Sequence, residues 1–537
     1  MTKHDNRPLV LILIIALWLL GGVFVFTSAK AYAANDGSQS DLYQNLQLFN
    51  EVLIKLKQNY VNEPSDEELI KAAINGMLGA TDPHTSFFDA EEFTDFTTST
   101  KGEFGGLGIQ IDKKGDYITV VSPIEGTPAY RMGLTAGDRI VKVDGISVVG
   151  VSTDEAIKKM RGPVGTKVTL TISRPGVTDL LDFIIIRDVI KIKSVPYAFK
   201  LDNGVGYIRI SQFSENTDRE LIAALDTLES SGIRGLIIDL RFNPGGLLDQ
   251  AIDTVNEFIG PNKLVVETKG RIQNSNRQYF TRFNRKAKEY PIVVLVNEAS
   301  ASAAEIFAGS LQDWDAGLIV GKPTFGKGSV QQLFPLSNGN GIKITTSYYY
   351  IKSGRCIHKE INDKLLKGKE VTAEEKEQID KKVKDHVYYT VNGRQVFGGG
   401  GITPDIEFNP DFLTNFGMEL RRKNTFFNFA IDYMVKHNHS VNRSFTVDNG
   451  TFEQFLDYAR TQEIKFTQSD IDSTASFIRT SLASEIVGKQ YGEQEAYRIT
   501  LKLDAQFQKA LELFDKNRTL DQMFNYANQA AKKGSKE

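Results

Sequence analysis

The spacing of apolar positions changes several times along the 537-residue chain. Over Leu42–Asn59 it is helical, with Leu46, Phe49, Val52, Leu53 and Leu56 on one face. Glu67–Leu78 repeats the pattern with Ile70, Ala73, Ile74 and Met77, and DPHTSFF then reads as a turn. From Glu103 to about Ile190 the runs are short and separated by Gly-rich turns. GEFGGLGIQI, YITVVSPI, KVTLTISR and FIIIRDVI read as strands and TDEAIKKMRG as one amphipathic helix, which predicts a small β domain. Beyond Asn203 the pattern changes again. VGYIRI, Leu236–Leu240, PIVVLV from Pro291 and Gly317–Gly321 are apolar strands. They alternate with helical stretches at Asp218–Glu229, at Leu247–Ile259 and after Ser302, so this part is α/β. SVQQLFPL and Ile342–Ile351 are further strands, and from Pro410 the chain is helical as far as Ala531. The shifts divide the chain into a leader (1–34), a helical region (42–100), a β domain (103–190), an α/β core (191–408) and a helical domain (410–537). A charged insert, 359–395, interrupts the core.

Composition narrows the classes. A net charge of −3 without long basic runs argues against nucleic acid. The single Cys356 excludes an intrachain disulfide framework and a thiolate metal cluster. Lys3 and Arg7 precede the uncharged run Leu9–Phe26, and Ala31-Tyr32-Ala33 offers a cleavage site. The rest of the chain is therefore expected to be exported to the periplasm or cell envelope. It would be soluble after cleavage, or anchored by residues 9–26 if the run is retained.

Candidate chemistry concentrates between Pro291 and Gln332. Ser302 stands where a helix begins, so the free N–H groups and the positive dipole end favour a developing negative charge there. A serine nucleophile needs a base. The six histidines are distant along the chain, and no G-x-S-x-G or H-E-x-x-H occurs. Lys327, between Gly326 and Gly328, can serve if burial keeps its amine neutral. In an extended chain Gln331 shares a face with Lys327 and could hold its amine. The bland alternatives are a tight helix–sheet contact at SASAAE and a solvated lysine. The same segment, GKPTFGKG, is nearly a phosphate loop, but Gly328 stands where Ser or Thr is needed and a strand follows instead of a helix.

NEASASAAEIFAGSLQD followed by GKPTFGKGSVQ resembles the active-site signature of the carboxyl-terminal processing peptidases, a serine–lysine endopeptidase family of S41 type. The resemblance implies Ser302 as nucleophile, Lys327 as general base and Gln331 as its orienting partner, with Ser300 structural. DLRFNPGG resembles the family's oxyanion turn. Which glycine donates is not fixed by the sequence; Gly245 is taken, with the N–H of Ala303 as its partner. GLTAGDRIVKVDG resembles a PDZ domain, in which Gly106, Leu107 and Gly108 would form a nest for a peptide carboxylate. The fold implied is a multidomain α/β protein: a ClpP/crotonase-like protease core, an inserted PDZ domain, a helical N-terminal arm and a helical C-terminal domain. The function implied is cleavage of C-terminal parts of proteins, with protein or peptide substrates bearing free C-termini as partners. No metal or other cofactor is implied. The C-terminal helices would serve dimerisation, giving a homodimer, or substrate capture. The rival readings are an inactive PDZ scaffold and a crotonase-like acyl-CoA enzyme.

Overall fold

The computed structural model describes residues 37–283, 286–359, 386–409, 413–438 and 440–534, with single positions between 364 and 381. The apolar leader run, its cleavage site and most of the charged insert lie outside the described residues. Among the described residues no helix is long and apolar enough to cross a membrane. The chain divides into two compact units, Met1–Ala80 and Thr81–Glu537.

The first unit contains helices α1 (Gly37–Asn59) and α2 (Asp66–Gly79). Ser65 caps α2, and Asp66, Glu67 and Glu68 in its first turn complement the helix dipole. Leu42, Leu46, Phe49 and Val52 of α1 are exposed.

The second unit opens with β1 (Ser86–Phe88) and α3 (Ala90–Thr100). The stretch expected to be only a turn thus ends in a strand, which pairs antiparallel with Gly341, Ile342 and Lys343. The β domain follows: β2 (Glu103–Gly106), β3 (Ile109–Lys114), β4 (Tyr117–Pro123), α4 (Pro128–Arg131), β5 (Arg139–Val143), β6 (Ile146–Ser147), α5 (Thr153–Met160), β7 (Lys167–Ser173), β8 (Leu181–Ile186) and β9 (Asp188–Lys191). Its sheet runs β3-β4-β5-β7-β8 with β3 at one edge and β6 on β5. The core is built from alternate strand residues such as Val120, Ile140, Leu170 and Ile185. FIIIRDVI, read as one strand, is two. Buried Arg187 turns inward and donates to the carbonyls of Met160 (2.8 Å) and Lys167 (3.0 Å), so the chain breaks there and β9 pairs with β2.

The α/β core comprises β10 (Tyr197–Lys200), β11 (Val205–Arg209), α6 (Thr217–Ser230), β12 (Gly235–Asp239), α7 (Leu248–Ile259), β13 (Leu264–Lys269), β14 (Arg277–Phe280), β15 (Ile292–Val296), α8 (Ala303–Asp313), β16 (Leu318–Gly321), β17 (Ser329–Pro335) and β18 (Gly341–Ile351). β19 (Val387–Tyr389) and β20 (Gln395–Phe397) form a hairpin, and β21 (Ile406–Glu407) closes the main sheet. That sheet runs β10-β11-β12-β15-β16-β21 and is parallel except at β10. A second sheet runs β1-β18-β13-β14, with β17 also on β18.

The helical remainder is α9 (Asn415–Arg422), α10 (Thr425–Lys436), α11 (Asn449–Thr461), α12 (Gln468–Tyr491), α13 (Glu493–Thr500), α14 (Ala505–Lys516) and α15 (Leu520–Gly534). Two cores divide it. α9–α12 pack around Leu420, Phe429, Phe455 and Ile478. α14 and α15 instead cover one face of the main sheet, where Phe507, Leu513, Phe514 and Met523 meet Ile237, Val293, Leu295 and Val320. The opposite face, with Ile238, Val294, Val296 and Ile319, packs on α7 and α8 through Val255, Phe258, Ile306 and Phe307. Continuous apolar strands and two covered faces are one fact, because alternate residues of each strand bury on opposite sides.

Candidate active site

α8 starts where parallel strand β15 ends, and Ser302 is its N-cap residue at φ +55°, ψ −115°. A non-glycine residue in that region is held by its surroundings. The turn before it is tied to the end of β12. Ala301 N–H donates to the Asn243 carbonyl (2.9 Å). Ser300, fully buried, donates from Oγ to the Leu240 carbonyl (2.8 Å) and accepts from Asn297 N–H (3.0 Å). Ser300 therefore ties the two turns together.

Glu305, one turn into α8, is fully buried. Its Oε2 accepts from the N–H groups of Ser302 (2.8 Å) and Lys327 (2.9 Å). Its Oε1 accepts from Gly326 N–H (2.7 Å) and from the Thr324 hydroxyl. The buried Tyr349 of β18 works from the other side, its hydroxyl donating to the carbonyls of Ser302 (3.1 Å) and Lys327. One carboxylate and one phenol thus hold the backbone of Ser302 against that of Lys327, 25 positions later in the sequence. Burial pushes the Glu305 carboxyl up from 4.5 to about 6, against the hydrogen bonds that favour its charged form. Burial also holds the Lys327 ammonium below its ordinary 10.5; Lys343 adds to the effect, and Glu305 and Asp82 oppose it. Among the described residues no hydrogen bond joins Ser302 Oγ to Lys327 Nζ. Such contacts are often long in a free enzyme, and the lysine stem is flexible.

Gln331 lies on β17 on the same face as Ser329, two residues earlier, and the register shift beside it places the extra residue, Thr346, on β18. Its Nε2 donates to Ser329 Oγ (2.9 Å) and Thr345 Oγ1 (3.2 Å), and not to Lys327. Gly245 is packed on the serine: a Cβ there would stand 2.7 Å from Ser302 Cβ, and its φ is +96°. Its N–H donates to Asn243 Oδ1 (2.8 Å) in this structure. The N–H of Ala303 has no backbone acceptor among the described residues. His358, distant in sequence, stands beside Gly328, its ring 4.8 Å from that of Tyr348.

Glu305, Tyr349, Asp82 and Lys343 were not singled out from the sequence. A signal existed for Glu305: Ser302-Ala303-Ala304-Glu305 has the S-x-x-E form of a capping box. The others reach the site through strand pairing, which leaves no local mark.

In the β domain, Gly106 ends β2, and Leu107 and Gly108 lead into edge strand β3. The carbonyls of Leu107 and Gly108 accept from the N–H groups of Ala129 (3.0 Å) and Ile124 (2.8 Å). Their own N–H groups have no backbone acceptor among the described residues. Gly108 is required here: φ is +76°, and a Cβ would lie 2.2 Å from Thr127 Cβ.

Residues 204–365 match the peptidase family S41, residues 119–174 a PDZ domain, and residues 416–492 a family of unknown function. These matches define a serine-type peptidase carrying a PDZ domain. The carboxy-terminal-processing protease of Bartonella bacilliformis is 43% identical over 347 residues, spanning 64% of this chain and 79% of that protein. The carboxy-terminal processing protease CtpA of Bacillus subtilis is 35% identical over 358 residues, spanning 66% and 76%. The solved photosystem II D1 C-terminal processing protease is 26% identical, with a TM-score of 0.36 over 67% of this chain and 87% of that one. On the two sequence matches, the chain belongs to the carboxy-terminal processing protease family.

Glu305 supplies a test with opposed signs. The folded protein binds its proton more tightly than the unfolded chain does, so on this group's account stability falls as pH rises from 4.5 to about 6. Activity should run the other way and fall on acidification through about 6, because the protonated carboxyl no longer accepts from all four donors. Glu305→Gln should remove that acid limb and cost about 1–3 kcal/mol, since one former oxygen now faces donors. Urea unfolding and a pH–rate profile check both; an unchanged acid limb in the variant assigns it to another group.

Proposed function

We propose that this peptidase works by a serine–lysine mechanism, with Ser302 as nucleophile and Lys327 as general base. The observation that carries the reading is that Glu305 and Tyr349 each bond the backbone of both Ser302 and Lys327. Neutral Lys327 takes the hydroxyl proton as Ser302 Oγ bonds to the scissile carbonyl carbon. The C–N bond then breaks and the ammonium returns the proton to the leaving amine. A water molecule, deprotonated by the same lysine, hydrolyses the acyl-enzyme. Ala303 N–H is one oxyanion donor. Gly245 becomes the second when its N–H leaves Asn243 Oδ1. Gln331 holds the amine through its carbonyl oxygen.

Substrate C-termini bind the PDZ domain as a strand added beside β3, their carboxylate on the N–H groups of Gly106, Leu107 and Gly108. Among the described residues the N–H groups of Leu107 and Gly108 have no backbone acceptor, which supports this reading. Export is inferred from the leader pattern alone.

Lys327→Arg keeps the charge but cannot deprotonate, so it should be as inactive as Lys327→Ala. Activity of the parent should rise with pH through a lysine value below 10.5. Kinetics on one peptide decide the point, and a substantially active Lys327→Arg enzyme would exclude the lysine as base.

Amidating the substrate C-terminus removes the charge the nest would hold. Affinity for the PDZ domain should then fall by about 1–3 kcal/mol, the scale of charge-assisted hydrogen bonds. Unchanged binding, measured by calorimetry, would reduce the Gly-rich turn to a structural connection.

A further inference from the structure

Behind Gln331 lies a chain of hydrogen bonds that begins at the start of the second unit. Thr345 faces Gln331 across the β17–β18 hairpin, and its Oγ1 accepts from Gln331 Nε2 at 3.2 Å. The single proton of that hydroxyl goes to Asp82 Oδ1 at 3.1 Å. Asp82 sits in the turn before β1, where Oδ1 also accepts from the N–H groups of His84 (2.8 Å) and Thr85 (2.9 Å). Asp82 Oδ2 accepts from Thr85 Oγ1 (2.7 Å), which in turn accepts from Thr345 N–H (3.2 Å). Pairing of β1 with β18 keeps this turn in place. Burial alone would raise the Asp82 carboxyl, but these hydrogen bonds outweigh it and hold the group below its ordinary 3.8.

Polarity then passes along the chain. An ionised carboxylate only accepts, so Thr345 must donate to it. Having donated, the hydroxyl offers Gln331 only lone pairs, so the amide must present its NH2 group. The two ends of a glutamine amide are nearly alike in shape, and its orientation follows from its hydrogen-bond partners. Oε1 is thereby turned away from Thr345, and it has no hydrogen bond among the described residues. Asp82 and Lys343 both act on the charge of Lys327, so the chain of bonds ends within electrostatic reach of the base. Lys343 is itself fixed over the rings of Phe88 (5.4 Å) and Phe96 (5.2 Å), beside the same turn.

We propose that Asp82 is a positioning residue of the protease, acting through Thr345 to orient the Gln331 amide so that Oε1 accepts a hydrogen bond from the Lys327 amine. The proposal rests on the reading of Lys327 as base and Gln331 as its holder. It gives the DPHTSFF turn a part in the chemistry, although it lies about 220 residues before the nucleophile.

The test is a double-mutant cycle in the full-length enzyme, reading kcat and KM on one peptide. Asp82→Ala and Thr345→Val should each lower kcat about 10- to 100-fold, as expected when a reacting group is misplaced, with KM changed less than about twofold. Gln331→Ala should show the same loss, and adding either change to it should do no further harm. Thr345→Ser keeps the hydroxyl and should retain at least about half of kcat. Should Asp82→Ala fail to fold, Thr345→Val still decides, since valine keeps the branched strand side chain and leaves the Asp82 turn intact. Parent-like kcat in Thr345→Val, losses that multiply with Gln331→Ala, or Thr345→Ser as impaired as the valine variant would each overturn the proposal. A fully active Gln331→Ala enzyme would overturn it together with the role of Gln331, while leaving Ser302 and Lys327 untouched.

Discussion

A single buried carboxylate holds the candidate active site together. Glu305 is fully buried, so each of its oxygens must find protein donors or the fold bears the desolvation of a charge. It finds four, and they come from the two segments that must meet: the start of α8 and the loop before β17. The same charge offsets part of the depression of the nearby lysine, yet burial dominates there. Ser302 in its strained conformation, Lys327 with its lowered affinity for a proton, and Tyr349 across from Glu305 all depend on that arrangement.

The scaffold explains why such an arrangement is rigid. β12 and β15 are parallel strands buried on both faces, and both candidate site turns leave from their C-terminal ends. Helices α7 and α8 cover one face. The other face is covered by α14 and α15, which lie at the far end of the sequence. A polar cluster joins the same parts. Buried Asp239 at the end of β12 accepts from Tyr207 (2.7 Å) and pairs with Arg241 (2.6 Å), and Arg241 reaches Asp504 (2.6 Å) just before α14. The last helices therefore belong to the main sheet, while α9–α12 form a core of their own.

Much of this was legible in the sequence, and for a physical reason. Ile292–Val296 and Leu236–Ile238 are continuous apolar runs because both their faces are buried, and Thr153–Met160 is periodic because only one is. Local chemistry also marked Ser302 and Lys327, one at a helix start and one between glycines. What sequence could not carry was pairing at long range. Asp82 meets Thr345 only because β1 joins β18, and Tyr349 reaches Ser302 only across two elements. The break at Arg187 was hidden for the opposite reason: an arginine inside an apolar run reads as a solvent-facing strand residue, whereas here it is buried on backbone carbonyls.

The account stands most directly on which serine reacts, and on whether Lys327 makes it react. A fluorophosphonate probe modifies serines that are activated as nucleophiles, and peptide mapping by mass spectrometry locates the adduct. The account predicts an adduct on Ser302, none on Ser300, and loss of labelling in Lys327→Ala. Labelling at Ser300 or at another serine, or undiminished labelling of Ser302 without Lys327, would contradict it.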